Sequence, residues 1–199
     1  MSSRISVNKA FARNERGGVL VEAALATPLF ILLVVGVLDL GIYLWQWNAA
    51  NKATHLGARF AVVNDPVARG PGLTTSPLTE DLSVGESCSI NNPCRVFTVT
   101  CTSIGCSGNE HQFDQAAFNR IFDRMVSIFP GLEPEDIEIQ YSSNGLGFNG
   151  FPGNIPNDVT VSIIERDYDF VALGRLINFG PLRINAAHTL TSESLRTRS

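Results

Sequence analysis

The strongest constraint on this chain is an apolar run too long for the interior of a small domain. From Val19 to Trp47 only Glu22 and Asp39 carry charge, and Ala23 to Leu38 carries none. The densest part is Leu29-Phe30-Ile31-Leu32-Leu33-Val34-Val35. A helix needs roughly 20 predominantly apolar residues to cross hydrocarbon, and this run supplies them if either carboxylate lies near an interface. Tyr43, Trp45 and Trp47 fit an aromatic belt at the far side. A cleaved signal peptide has an apolar core of only about 7–15 residues. This run is longer, carries two acids, and ends in a weak exit site at Asn48-Ala49-Ala50. It therefore reads as a retained span over about residues 19–45.

The flanks orient that span. Residues 1–17 hold Arg4, Lys9, Arg13 and Arg16 against one acid, Glu15. Positive charge stays in the cytoplasm, so 1–17 reads as a basic cytoplasmic leader and 64–199 as an extracytoplasmic domain. The helix need not stop at the membrane surface. Ala49, Ala50, Ala53, Gly57 and Ala61 recur at steps of three or four and make one narrow face for close packing. Asn64-Asp65-Pro66 is a stop signal. A continuous helix over 18–63 would be about 70 Å long at the rise of an α-helix; a membrane helix followed by a separate amphipathic one is the alternative. Pro28 removes a backbone donor and is expected to kink the inner part.

Glu22 is the residue that needs a reason. An acid deep in an apolar helix costs at least a few kcal/mol, whereas one near the interface simply snorkels. If the chain is cut between Gly17 and Gly18, Gly18 becomes residue one and Glu22 residue five. Packed copies can then pair the new α-amine of one with the carboxylate of another and so set the register between subunits. Asp39 has two readings of its own: a marker of the membrane exit, or a contact to a partner helix.

A basic leader, a glycine, four residues, a glutamate and an apolar helix together resemble a prepilin processing site. The longer pattern is more specific. Gly18-Val19-Leu20-Val21-Glu22-Ala23-Ala24-Leu25-Ala26-Thr27-Pro28-Leu29, Gly36-Val37-Leu38-Asp39-Leu40-Gly41 and Ala53-Thr54-His55-Leu56-Gly57-Ala58-Arg59-Phe60-Ala61 resemble the TadE-like family, pilin-like proteins of the Tad/Flp type IV pilus systems. The resemblance implies a prepilin peptidase acting at Gly17 and Gly18, with this chain as its substrate. In family terms Glu22 matches the glutamate of the processing motif and Asp39 a membrane-exit acid, the two residues expected to serve subunit assembly, and Gly57, Ala58 and Arg59 match the Gly-Ala-Arg signature. Ala23 departs from the pattern, since Flp-type processing favours tyrosine or phenylalanine there. The implied partners are the membrane, other pilins and the pilus assembly platform. The implied location is the bacterial inner membrane, with a single pass.

After residue 64 the chain turns loop-rich. Pro66, Gly70-Pro71-Gly72, Pro77 and Gly85 interrupt any long element. Strands are predicted at 95–102, 137–141, 158–164 and 182–190 from alternation and β-formers. A helix is predicted over 114–129, with Phe118, Ile121, Phe122, Met125 and Ile128 at helical spacing, and a short helix or turn at 170–179. Glu133-Pro134-Glu135-Asp136 reads as a solvated turn rather than a metal cluster. The fold class is α+β and pilin-like: a long N-terminal membrane-spanning helix, then a small domain with about four antiparallel strands and one or two helices.

Cys88, Cys94, Cys101 and Cys106 are separated by five, six and four residues. No Cys-x-x-Cys pair exists, so neither a zinc ribbon nor a thioredoxin-like site fits. In a translocated domain they read as two disulfides. Three pairings are possible, of which Cys88–Cys94 with Cys101–Cys106 closes the shortest loops; reduced core thiols are the other reading. His55, His111 and His188 lie far apart, and no catalytic order, phosphate loop or metal spacing stands out. The net charge of −4 offers no basic surface for nucleic acid. The expected role is structural, without a cofactor: a minor pilin or pseudopilin. The alternatives are an unprocessed periplasmic scaffold of the same machinery, or a signal-anchored enzyme or ligand-binding domain.

Overall fold

The structure, a computed structural model, describes residues 15–73, 86–88, 96–108, 110–143, 145, 147, 157–178 and 180–192. Residues of the leader before 15, Cys94, most of the 144–157 loop and the tail after 192 lie outside them. Helix α1 spans Glu15–Val63 without interruption, with Pro28 inside it. The Thr27 hydroxyl donates to the Ala23 carbonyl at 2.6 Å beside that proline. The helix ends where Asn64-Asp65-Pro66 predicts, and the Asn64 side-chain amide donates to the Phe60 carbonyl, satisfying one of the orphan acceptors of the last turn.

Strand β1 is Ala68–Arg69, β2 Thr98–Thr102, β3 Gly105–Cys106 and β4 Gln112–Phe113. Helix α2 is Gln115–Val126, β5 Ile137–Ser143, β6 Asn157–Tyr168, helix α3 Leu173–Ile177 and β7 Leu182–Ser192. A 3-10 turn covers Pro134–Asp136. Two sheets form: β1 with β4, and an antiparallel five-stranded sheet in the order β3-β2-β5-β6-β7. The α+β class holds. The stretch after Val63, read as loop throughout, contains β1, because Ala68 and Arg69 pair with Phe113 and Gln112 across a gap no local pattern records.

By contacts the chain forms two compact units. One comprises α1 as far as Tyr43 together with Asp169–Gly180; the other comprises Leu44–Tyr168 and the chain from Pro181 onward.

In the second unit the sheet is one-sided. Ile137, Ile139 and Tyr141 of β5, Val159, Val161 and Ile163 of β6, and Ile184 and Ala186 of β7 are buried, which follows from the period of two along each strand. The intervening residues are polar: Thr100, Gln140, Thr160 and Thr189 stand at successive register positions on the other face, and Thr160 and Thr189 share a hydrogen bond of 2.8 Å. The buried face is covered by the second half of α1 and by α2. From α1 come Ala49, Ala50, Ala53, Thr54, Ala58 and Ala61, the narrow face of small residues expected from their spacing. From α2 come Phe118, Ile121 and Met125, while Ile128 is exposed and Phe129 takes its place in the core.

Gly57 fixes how closely these layers meet. A Cβ there would lie 2.7 Å from Met125 Sδ and 3.2 Å from Val161 Cγ1, so one hydrogen is all the gap between α1, α2 and β6 accepts. Helix α2 begins at Asp114, whose carboxylate accepts from the Ala116 and Ala117 amides at 3.0 and 3.1 Å, as an N-cap does. Arg69 also pairs with that carboxylate. The chain between α1 and β1 is pinned by Val67, which donates its N–H to the buried Tyr141 hydroxyl at 3.0 Å and accepts from the Asp114 N–H at 2.7 Å. A bulge between Ile163 and Arg166 lets β6 run on to Tyr168, four residues past the expected end.

Candidate functional site along the long helix

The residues singled out from the sequence lie along α1, in three places. Gly17 and Gly18 are exposed within the helix, and a side chain at either would meet nothing within 4 Å. Glu22 is exposed one turn further on. The surrounding α1 surface is apolar and open: Val19, Leu20, Val21, Leu25, Leu29 and Phe30 all stand out of the protein. This helix is long and apolar enough to cross a membrane.

Asp39 is the opposite case, with only 4% of its surface exposed. Its Oδ2 accepts from the Ala172 N–H and the Leu173 N–H, each at 2.9 Å. These are the first free amides of α3, so an acid on one helix caps another that is 133 residues away in sequence. A carboxylate taken out of water is costly unless donors replace its hydration; two amides at the positive end of a helical turn do so. The rest of the segment follows α1. The Phe170 ring lies 6.1 Å from that of Tyr43. A Cβ at Gly36 would stand 3.6 Å from Leu173 Cδ2, an ordinary contact distance, which places Leu173 beside α1 at that turn.

Gly57, Ala58 and Arg59 divide by face. Gly57 and Ala58 are buried in the helix–sheet contact, and Arg59 is exposed. The Gly-Ala pair thus serves close packing, whereas Arg59 presents its charge outward.

The cysteines are oxidised where described. Cys101 and Cys106 form a disulfide, and they are direct register partners across the β2–β3 hairpin. The adjacent pair is closed by the Ser107 N–H to Thr100 carbonyl bond at 2.7 Å. The disulfide therefore occupies a non-hydrogen-bonded position, where facing Cα atoms come closest. It ties β2 to its hairpin partner. Cys88 is disulfide-bonded and buried; Cys94 lies outside the described residues.

Two arrangements escaped sequence reasoning. His55 and His188, far apart in the chain, have ring centroids 4.5 Å apart. The acidic run Glu133–Asp136 closes on itself: the Glu133 N–H donates to Asp136 Oδ2 at 2.8 Å, and Arg166 reaches the same oxygen at 3.4 Å. Among the described residues, no three metal-ligating side chains come together.

Helix and sheet together define the class: an α+β protein led by one long apolar helix suited to membrane anchoring. Residues 17–59 match the family model described as TadE-like protein, the stretch from the glycine pair to the Gly-Ala-Arg signature. No curated protein and no solved structure matches the chain.

Proposed function

We propose that this chain is a structural component of a Tad-type pilus assembly system, a minor pilin or pseudopilin held in the bacterial inner membrane by α1. Residues 1–17 form its cytoplasmic leader, 18–63 its long helix with the span at about 19–45, and 64–199 its extracytoplasmic domain. The observation that carries this reading is the pairing of a TadE-like segment with an exposed Glu22 on an open apolar helix. The second half of α1 is consumed by its own sheet. The first half keeps its apolar surface for lipid and for neighbouring subunits.

Processing would fall at the Gly17–Gly18 bond. That bond lies in helix, so a prepilin peptidase must unwind a turn to reach it. Two adjacent glycines make this inexpensive, each helical glycine being roughly 0.5–1 kcal/mol less stable than alanine. The released amine at Gly18 stands one turn, about 6 Å, from Glu22 of its own chain. It can pair there, or with the Glu22 of a neighbouring subunit during assembly. The work is structural, with chemistry supplied by the peptidase and motion by the assembly platform.

The test is the N-terminal mass of the membrane-extracted protein. A new terminus at Gly18 is expected; an intact leader would favour the unprocessed scaffold. Glu22→Ala should leave the protein in the membrane and impair piliation. Normal piliation in that variant would remove the register role of Glu22.

A further inference from the structure

We propose that Asp169–Gly180 is a second membrane element, which lies against the acyl chains of the leaflet on the Asp39 side of the span, with Asp39 as its positioning residue. This rests on the reading of α1 as a membrane span.

The segment follows α1 inward. Phe170 sits at the level of Tyr43, Ala172 and Leu173 are held by Asp39, and Leu173 lies beside Gly36. Leu176 then shares a groove with Thr27, Pro28, Ile31 and Leu32. Leu32 and Thr27 lie seven and twelve residues from Asp39, about 10 and 18 Å along the helix axis. If Asp39 marks the interface, α3 runs from the interface at Leu173 into the acyl-chain layer at Leu176, within a hydrocarbon core about 30 Å thick.

The exposed surface is polar at Asp169, Arg175 and Asn178 and fits lipid at Val171 and Leu176. Val171 and Leu176 are 64% and 63% exposed, comparable with Leu33 on α1 at 61%. The apolar surface of α1 therefore continues onto the segment. Four of the backbone donors, which lipid cannot solvate, have partners: those of Ala172 and Leu173 are taken by Asp39, Leu176 donates to the Ala172 carbonyl, and Asn178 donates to that of Leu173. The groove wall is equally quiet, since the Thr27 hydroxyl is spent on Ala23.

Arg175 favours lipid over a second protein helix. It is exposed next to Leu176. A long cationic side chain there can extend to a lipid phosphate while its stem stays in the apolar layer, whereas a packed partner helix would bury its charge.

Single-tryptophan variants test this in the full chain. The two native tryptophans are removed (Trp45→Phe, Trp47→Phe), and Val171→Trp, Leu176→Trp, Phe30→Trp or Asn185→Trp is added singly. Each protein is reconstituted in phosphatidylcholine–phosphatidylglycerol vesicles with brominated acyl chains. Emission from positions 171 and 176 should fall about twofold or more and resist aqueous iodide, as expected of an apolar face seated among acyl chains. Position 30 should behave likewise, and position 185, on an exposed face of β7, should show the reverse. Adding Asp39→Ala should reduce bromolipid quenching at 176 and leave it unchanged at 30; unchanged quenching at both would remove Asp39 from the positioning role. Iodide access at 171 and 176 with position 30 still quenched by lipid would overturn the proposal and leave the membrane span standing. Loss of lipid quenching at position 30 as well would overturn both. Protection of 171 and 176 from both quenchers at every lipid ratio would name a second copy of the chain as occupant, and refute the lipid contact.

Discussion

Replacing Asp39 should detach α3 locally and leave the sheet intact. A hydrogen bond to a charged group is worth about 1.5–3 kcal/mol net. Asp39 accepts two, both on one oxygen and both at 2.9 Å. Sharing an oxygen argues for the lower figure each, about 3 kcal/mol for the pair, or about a hundredfold in a local opening constant. Asp39→Asn keeps a carbonyl acceptor and loses the charge. Neutral bonds of about 1 kcal/mol each would remain, which leaves a loss of about 1 kcal/mol, or about a fivefold effect. The assay is hydrogen exchange read by mass spectrometry on the full chain in detergent micelles. In Asp39→Ala the amides of Ala172 and Leu173 should exchange about a hundredfold faster, through opening of that segment alone. Amides of β5 and β6, such as those of Ile139 and Val161, should keep their wild-type rates. Unchanged exchange at Ala172 and Leu173 would refute the capping argument; equal acceleration in β5 would show that the carboxylate supports the whole fold.

Three further outcomes follow from the second unit, with stability read from denaturant unfolding of the full chain in micelles. Gly57→Ala places a Cβ 2.7 Å from Met125 Sδ and 3.2 Å from Val161 Cγ1; the methionine can swing but the strand is fixed, so the loss should be about 1–3 kcal/mol, and an unchanged midpoint would contradict the close approach. Tyr141→Phe strands the buried Val67 N–H and should cost about 1–3 kcal/mol. In the wild type, burial raises the Tyr141 phenol well above its usual range, against the opposing Val67 amide, so its absorbance change on alkaline titration should appear only as the domain unfolds. Asp114 tests the acid side. Burial raises its carboxyl, but the Ala117 amide, the Arg69 guanidinium and the Ala116 amide outweigh this and hold it below its ordinary value. A depressed folded value gives stability that is present above the unfolded value, about 3.9, and lost as pH falls through the folded one. Stability should therefore decline on acidification below about pH 4, and Asp114→Asn should flatten that part of the profile; an identical profile would rule out the carboxylate as its source.

What the sequence discloses is which face of an element is buried, not what buries it. The steps of three and four from Ala49 to Ala61 give the packed face of α1, and the stripe from Phe118 to Met125 gives that of α2, because both are set by helical periodicity. Neither pattern says that Met125 and Val161 meet over Gly57. The bulge at Ile163–Arg166, the β1–β4 pair and the Val67–Tyr141 bond depend on register between distant segments and leave no local mark. The cysteine pairing is intermediate: the shortest-loop option includes Cys101–Cys106, but only the hairpin register explains why those two face each other.

The two acids of the apolar run show most clearly where local reading stops. Glu22 and Asp39 have the same neighbourhood in sequence, aliphatic on both sides, and the same nominal cost. The fold separates them. Asp39 is enclosed by amides of its own chain, so its replacement should disturb structure first and assembly only through structure. Glu22 stands exposed on an open helix, so its replacement should leave the fold untouched and act on what the helix meets. A Glu22→Ala protein with wild-type exchange rates throughout and defective piliation, beside an Asp39→Ala protein with a loosened α3, would assign the first acid to the assembly and the second to the protomer. If both variants loosened the same segment, the separation would fail, and Glu22 would lose its standing as the functional carboxylate.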